Sequence, residues 1–105
     1  MTIAGNTDIA VADDRFVVNY WRMVEGGRLL FGGGESYGMR FAGDIASIVR
    51  RPMAELYPHL RDVGIDFAWG GTLGITLSRH PCFARVDDGV WSAGGYSGHG
   101  VALAT

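Results

Sequence analysis

The segment Gly94-Gly95-Tyr96-Ser97-Gly98-His99-Gly100-Val101 concentrates the residue types that could do chemistry in this chain. It follows the run Val90-Trp91-Ser92-Ala93 and leads into Ala102-Leu103-Ala104-Thr105. The pattern predicts a buried strand, a glycine turn and the first turn of a helix. A glycine loop opening a helix aims bare backbone N–H groups and the positive end of the helix dipole at one point. Such a point suits an anion or an electron-rich cofactor edge. Only about one and a half turns follow Gly100, too few for a helix that stands alone, so a longer parent protein is expected.

Other chemistries compete with that one. Ser97, beside His99, invites a serine nucleophile, but the nucleophile elbow needs G-x-S-x-G and the closing position here is His99. His59 and His80 fall in helix-end and loop contexts. The Ser97 hydroxyl is therefore expected to cap the helix N-terminus. Gly98-His99-Gly100 is either a cofactor nest or a plain turn. A turn needs one glycine, and three within the six residues 95–100 favour something packed against the backbone. The dinucleotide fingerprint G-x-G-x-x-G fails at Leu103 and is absent from the whole chain. Arg22 and Arg79 could hold a substrate carboxylate, although arginines are ordinarily solvated or paired. Trp21, Trp69 and Trp91 are expected in the core rather than as stacking platforms. Glu35, after three glycines, is either a buried anchor or a loop charge.

Composition narrows the class. At 105 residues the chain is at most one small domain, burying roughly 60–65 % of its unfolded surface. Hydrophobic residues at 48 % and charged residues at 19 % indicate a folded globular chain rather than disorder. A net charge of −2 argues against nucleic acid, which needs a basic face. The lone Cys82 forms no internal disulfide and fits a reducing cytoplasm, and no cysteine or histidine cluster suggests a metal. No signal-peptide layout or membrane-length apolar run is present, so a soluble, cytoplasmic protein is expected. Seventeen glycines exceed the usual share of about 7 %, and they cluster at the ends of apolar runs, where tight turns or close backbone approach require them.

The elements that must position these residues follow from periodicity. Phe16 to Val24 reads as a β-strand, turned by Glu25-Gly26-Gly27 into Arg28 to Gly32. Residues 44–60 switch to helical spacing, with Ile45, Ile48, Val49, Met53, Leu56, Tyr57 and Leu60 on one face and Asp44 at the start. Pro52 is expected to kink or split this helix near Arg51, and Pro58 to end it. Strands are predicted at Ile65 to Trp69 and, alternating, at Thr72 to Leu77. A second hairpin is predicted from Phe83 to Val86 and Val90 to Ala93, across Asp87-Asp88-Gly89. The order implies an α+β fold, an antiparallel sheet layer covered by one helix.

With those residues in place, the chain resembles FAD-dependent oxidoreductases of the D-amino-acid-oxidase/glycine-oxidase superfamily, and within it gamma-glutamylputrescine oxidoreductase-type amine oxidases. The resemblance rests on DDRFVVNYWR at 13–22, GRLLFGGGE at 27–35, WGGTLGITLSRHPCF at 69–83 and GGYSGHGV at 94–101, covering nearly all of residues 8–105. It implies that residues 1–89 form part of the substrate-binding lobe and that 90–105 begin a segment of the FAD domain. It implies that Gly95, Tyr96, Ser97, Gly98, His99, Gly100 and Val101 lie against the flavin ring. Relatives that oxidise amino acids carry an arginine shortly after the Trp-x-Gly element, and here that place is Leu73. The substrate side is thus assigned to Leu73, Trp69 and Arg22, and the implied substrate is an amine without an α-carboxylate. On this basis the chain alone is expected to be inactive and to need a missing FAD-domain half or to self-associate. The rival expectation is a stand-alone, non-catalytic α+β module whose glycine loop holds some other anion.

Overall fold

A computed structural model describes residues 9–36, 38, 40 and 43–105. The chain divides into two compact units, one ending at Gly70 and the other spanning Gly71–Thr105.

The first unit holds a three-stranded antiparallel sheet in the order β1-β2-β3, with β1 at Val11–Ala12, β2 at Tyr20–Val24 and β3 at Arg28–Gly32. The predicted long first strand is shorter than expected: residues 15–17 bend, Tyr20–Val24 pairs with β3, and only Tyr20 and Trp21 also pair with β1. The cause is local. Asp13 accepts from the backbone N–H of Asn19 at 2.9 Å and from its side-chain amide at 2.7 Å, and the Asp13 N–H donates to Asn19 O at 2.9 Å. These bonds draw the chain into a loop that brings β1 back beside β2. The predicted hairpin is present. Gly26 and Gly27, at φ +77° and +70°, take a conformation that side chains resist, and the register sets Trp21 opposite Phe31.

The helix α1 spans Ile45–Leu56. Asp44 caps it, accepting the Ser47 N–H at 3.1 Å and the Ser47 hydroxyl. Pro52 lies inside α1 but does not split it, contrary to the sequence expectation. One missing N–H costs a single intrahelical bond, and the cap and the packed Met53 side chain on the next residue hold the turns together. Pro58 does end it, opening a short 3₁₀ turn through Leu60. Met53 and Leu60 are the buried apolar side chains among the described residues, whereas Ile48, expected on the inner face, is half exposed. Trp21 stacks on Phe31 at 5.7 Å and meets Tyr57 edge-on at 5.9 Å, joining the sheet to the end of α1.

Residues 65–69, predicted as a strand, and 72–77 form no ladder. A strand takes its hydrogen bonds from neighbours, and among the described residues neither run joins a sheet ladder. The second unit instead holds a two-stranded ribbon, β4 at Cys82–Asp87 and β5 at Val90–Gly94, turned at Gly89 with φ +69°. The expected single sheet is thus two separate antiparallel sheets within an α+β architecture. A one-turn helix, α2 at Gly100–Leu103, follows β5.

Candidate functional site

The loop between β5 and α2 has an unusual backbone. Gly95, Ser97 and Gly98 stand at φ +67°, +54° and +89°, three left-handed residues within four positions. Glycine accepts this freely; Ser97 does not, and its conformation needs external support. The support comes from residues 74–76. The Ser97 N–H donates to Gly74 O at 2.9 Å, and the Thr76 N–H donates to Ser97 Oγ at 3.3 Å. A Cβ added to Gly74 would lie 3.5 Å from Gly95 Cα, so the two backbones run close together.

The helix start completes the loop. His99 precedes α2, and its N–H closes a turn onto Tyr96 O at 3.0 Å. Leu103 is the first residue whose N–H reaches back into the turn, to His99 O at 3.0 Å. The N–H groups of Gly100, Val101 and Ala102 therefore have no acceptor within the helix. Gly98, His99 and Val101 are exposed. Ser97 does not cap α2: the capping position is His99, and it makes no side-chain cap bond. The Ser97 hydroxyl instead donates to Gly95 O at 3.4 Å while accepting from Thr76, and the residue is buried, with 8 % of its surface exposed. Its hydrogen bonds thus go to backbone rather than to a base, as a nucleophile would require.

Leu73 is brought to this loop. A Cβ built on Gly98 would lie 3.7 Å from Leu73 Cδ1, an ordinary van der Waals contact, and the Leu73 side chain remains largely exposed. The other substrate-side candidates belong to the first unit. Arg22 is exposed on β2, its Nε donating to Met23 O at 3.4 Å, and Trp69 is exposed just before the unit ends. Trp91 is likewise exposed, so of the tryptophans expected in the core only Trp21 packs against other rings. The reason is that neither Trp69 nor the two-stranded ribbon acquires a covering layer within its own unit. Arg79 stands at φ +62° in the turn after residues 77–78.

Two residues of the site escaped sequence reasoning, Gly74 and Thr76. A glycine inside the alternating run Leu73-Gly74-Ile75-Thr76 was the available signal, since glycine within a strand pattern marks close backbone approach.

The site's chemistry is that of unpaired N–H donors around exposed glycine backbone, with an apolar side chain alongside. A planar cofactor with an electron-rich edge fits such a surface, because no Cβ at Gly98 or Gly100 stands in its way. Among the described residues no helix is long and apolar enough to cross a membrane, and no group of three His, Cys, Asp or Glu side chains could hold a metal.

Residues 2–105 match the family model described as FAD dependent oxidoreductase (DAO). The chain is 53 % identical over 95 residues to the probable oxidoreductase OrdL of Rhizobium meliloti, covering 90 % of this chain and 22 % of that protein. It is 41 % identical over 91 residues to the gamma-glutamylputrescine oxidoreductase of Escherichia coli, covering 87 % and 21 %. It is 38 % identical over 98 residues to the probable oxidoreductase OrdL of Haemophilus influenzae, covering 93 % and 22 %. The chain thus spans about a fifth of the length of these curated relatives. No solved structure matches it.

Proposed function

The chain belongs to the FAD dependent oxidoreductase family, and from that premise we propose that it is the segment of an amine-oxidising flavoenzyme that sets substrate side against cofactor side. The observation that carries this reading is the nearness of Leu73 to Gly98, its Cδ1 lying 3.7 Å from where a Cβ of residue 98 would be, which puts an apolar side chain beside the glycine loop. Residues 1–89 contribute to the substrate-binding lobe, and 90–105 begin the return to the FAD domain.

When bound, FAD supplies the two-electron acceptor for oxidation of the C–N bond. Gly95, Tyr96, Gly98, His99, Gly100 and Val101 would hold it. The N–H groups of Gly100 and Val101 lack helical acceptors and suit negative charge on a ring edge, as oxyanion-hole donors suit a developing oxyanion. Gly98 and Gly100 let the backbone come into contact where a side chain would keep it away. Leu73 excludes water and offers no charge to a substrate carboxylate. An α-amino acid would therefore leave its carboxylate unpaired against an apolar surface, which costs several kcal/mol when buried. An amine lacking that group avoids the cost. The gamma-glutamylputrescine oxidoreductase among the relatives is named for a putrescine derivative, whose free amine end carries no carboxylate on the neighbouring carbon, and this supports the same substrate class.

The test is to load the protein carrying this segment with FAD and follow bleaching of the flavin absorption anaerobically. Amines of the polyamine-derivative type are expected to reduce the flavin, and glycine or D-amino acids to do so far more slowly. Preferential reduction by α-amino acids would reverse the assignment.

A further inference from the structure

Ser97 is caught between two backbone groups of a single short run. It donates its N–H to Gly74 O at 2.9 Å and offers its hydroxyl oxygen to the Thr76 N–H at 3.3 Å. Thr76 is itself fixed: its Oγ1 donates to His80 O at 2.7 Å, and its Cγ2 stands where a Cβ on Gly95 would come within 2.6 Å. Leu73 immediately precedes this run and Gly98 immediately follows Ser97, so the clamp lies one residue away from both members of the Leu73–Gly98 contact.

The residue type sharpens the point. At φ +54° glycine would be the easier residue, and every neighbouring left-handed position in the loop is glycine. A side chain kept at such a position needs a gain that offsets the strain. Here that gain is the hydroxyl, which satisfies the Thr76 N–H inside a buried corner.

We propose that Ser97 is a positioning residue and not a cofactor ligand: its hydroxyl clamps residues 74–76 to the glycine loop and so fixes Leu73, on the substrate side, against Gly98, on the cofactor side. This rests on the flavin reading of the loop. Ser97 sets the spacing between the two sides without touching either ligand, so its loss is felt as misalignment rather than as a missing contact.

Ser97→Gly isolates the hydroxyl, because glycine relaxes the backbone at this φ while removing the acceptor. Amide exchange measured by NMR on the chain is expected to be at least about tenfold faster at Thr76 in the variant, a factor worth 1.4 kcal/mol. In the FAD-loaded protein, Ser97→Gly is expected to shift the flavin absorption band and raise KM for the amine several-fold, with kcat changed less. Thr76→Val, which keeps the N–H and a methyl toward Gly95 but loses the bond to His80, is expected to produce a weaker change of the same kind. Unaltered Thr76 exchange, or a Ser97→Gly holoprotein with wild-type spectrum and KM, overturns the clamp while leaving the flavin reading intact. Failure of the wild-type protein carrying this segment to take up FAD overturns the flavin reading, and the role assigned to Ser97 with it.

Discussion

Leu73 and Gly98 stand 25 residues apart in the chain and meet in space, Leu73 Cδ1 lying 3.7 Å from where a Cβ of residue 98 would be. The approach leaves room on both sides: a Cβ at residue 98 would sit in ordinary van der Waals contact with Leu73, and the backbone of Gly74, the residue after Leu73, runs close to Gly95. An apolar group is thereby placed beside backbone donors, an arrangement that can favour one end of a substrate over another.

Leu73→Arg is expected to exchange that preference. In the FAD-loaded protein, kcat/KM for the amine should fall, and small amino acids or carboxylate inhibitors should bind about tenfold or more tightly than to wild type, since a new ion pair need contribute only 1.4 kcal/mol for that. The comparison is made as a ratio of kcat/KM values for amine and amino acid. An unchanged ratio places Leu73 outside the substrate surface.

Two glycines that both crowd a side chain should respond differently to alanine. A Cβ on Gly32 would fall 2.1 Å from Tyr20 Cε2, but that ring is largely exposed and can swing aside. A Cβ on Gly95 would meet Thr76 Cγ2 at 2.6 Å at a backbone φ of +67°, and Thr76 is tethered to His80. Gly95→Ala is expected to destabilise the second unit by about 1–3 kcal/mol, and Gly32→Ala to cost under about 1 kcal/mol. Thermal melts of the two variants against wild type check the order.

Acidification is expected to weaken the first unit. Burial acts to raise the Asp13 pKa, but hydrogen bonds from Asn19 and Arg15, with the Arg15 charge, together hold it below the ordinary 3.8. Hydrogen bonds from the Ser47 hydroxyl and N–H, aided by Arg50, hold Asp44 below 3.8 as well. A lowered folded-state pKa contributes stability that is present above the unfolded value and lost as pH falls through the folded one. The melting midpoint should therefore drop as pH is taken from about 5 toward 2, and Asp13→Asn should flatten that dependence. Circular dichroism melts across the range measure it.

The chain by itself is expected not to retain FAD through gel filtration. No G-x-G-x-x-G unit is present to take the pyrophosphate, so only ring contacts at Gly95 to Val101 are offered. A yellow chain with stoichiometric flavin would contradict this.

Self-association is expected at micromolar concentration, because Phe83, Trp91, Val101 and Leu103 in the second unit are all exposed. Sedimentation velocity decides it, and Trp91→Ser is expected to shift the distribution toward monomer.

Much of the molecule was legible in one dimension because its causes are local. The hairpin at Gly26-Gly27, the ribbon turned at Gly89, the Asp44 cap and the helix end at Pro58 each depend on residues within a few positions of one another. The glycine-rich junction from β5 to α2 was visible for the same reason. Where sequence reasoning failed, the cause was distant. The runs at 65–69 and 72–77 have strand composition, but composition cannot supply a neighbour for their backbone groups.

What the sequence determined alone, then, was the repertoire: the family, the turn chemistry, the helix limits and a loop of bare N–H groups. What only the tertiary structure decided was the use of Ser97 and Leu73. Local propensity assigned the serine hydroxyl to a helix cap, one to three residues away. The fold gave it to Thr76, 21 residues back, and in the same step set Leu73 beside Gly98. The physical reason is that a hydrogen bond or a methyl contact is satisfied by proximity in space, and proximity across such separations is created by the packing of whole segments, which no local spacing encodes.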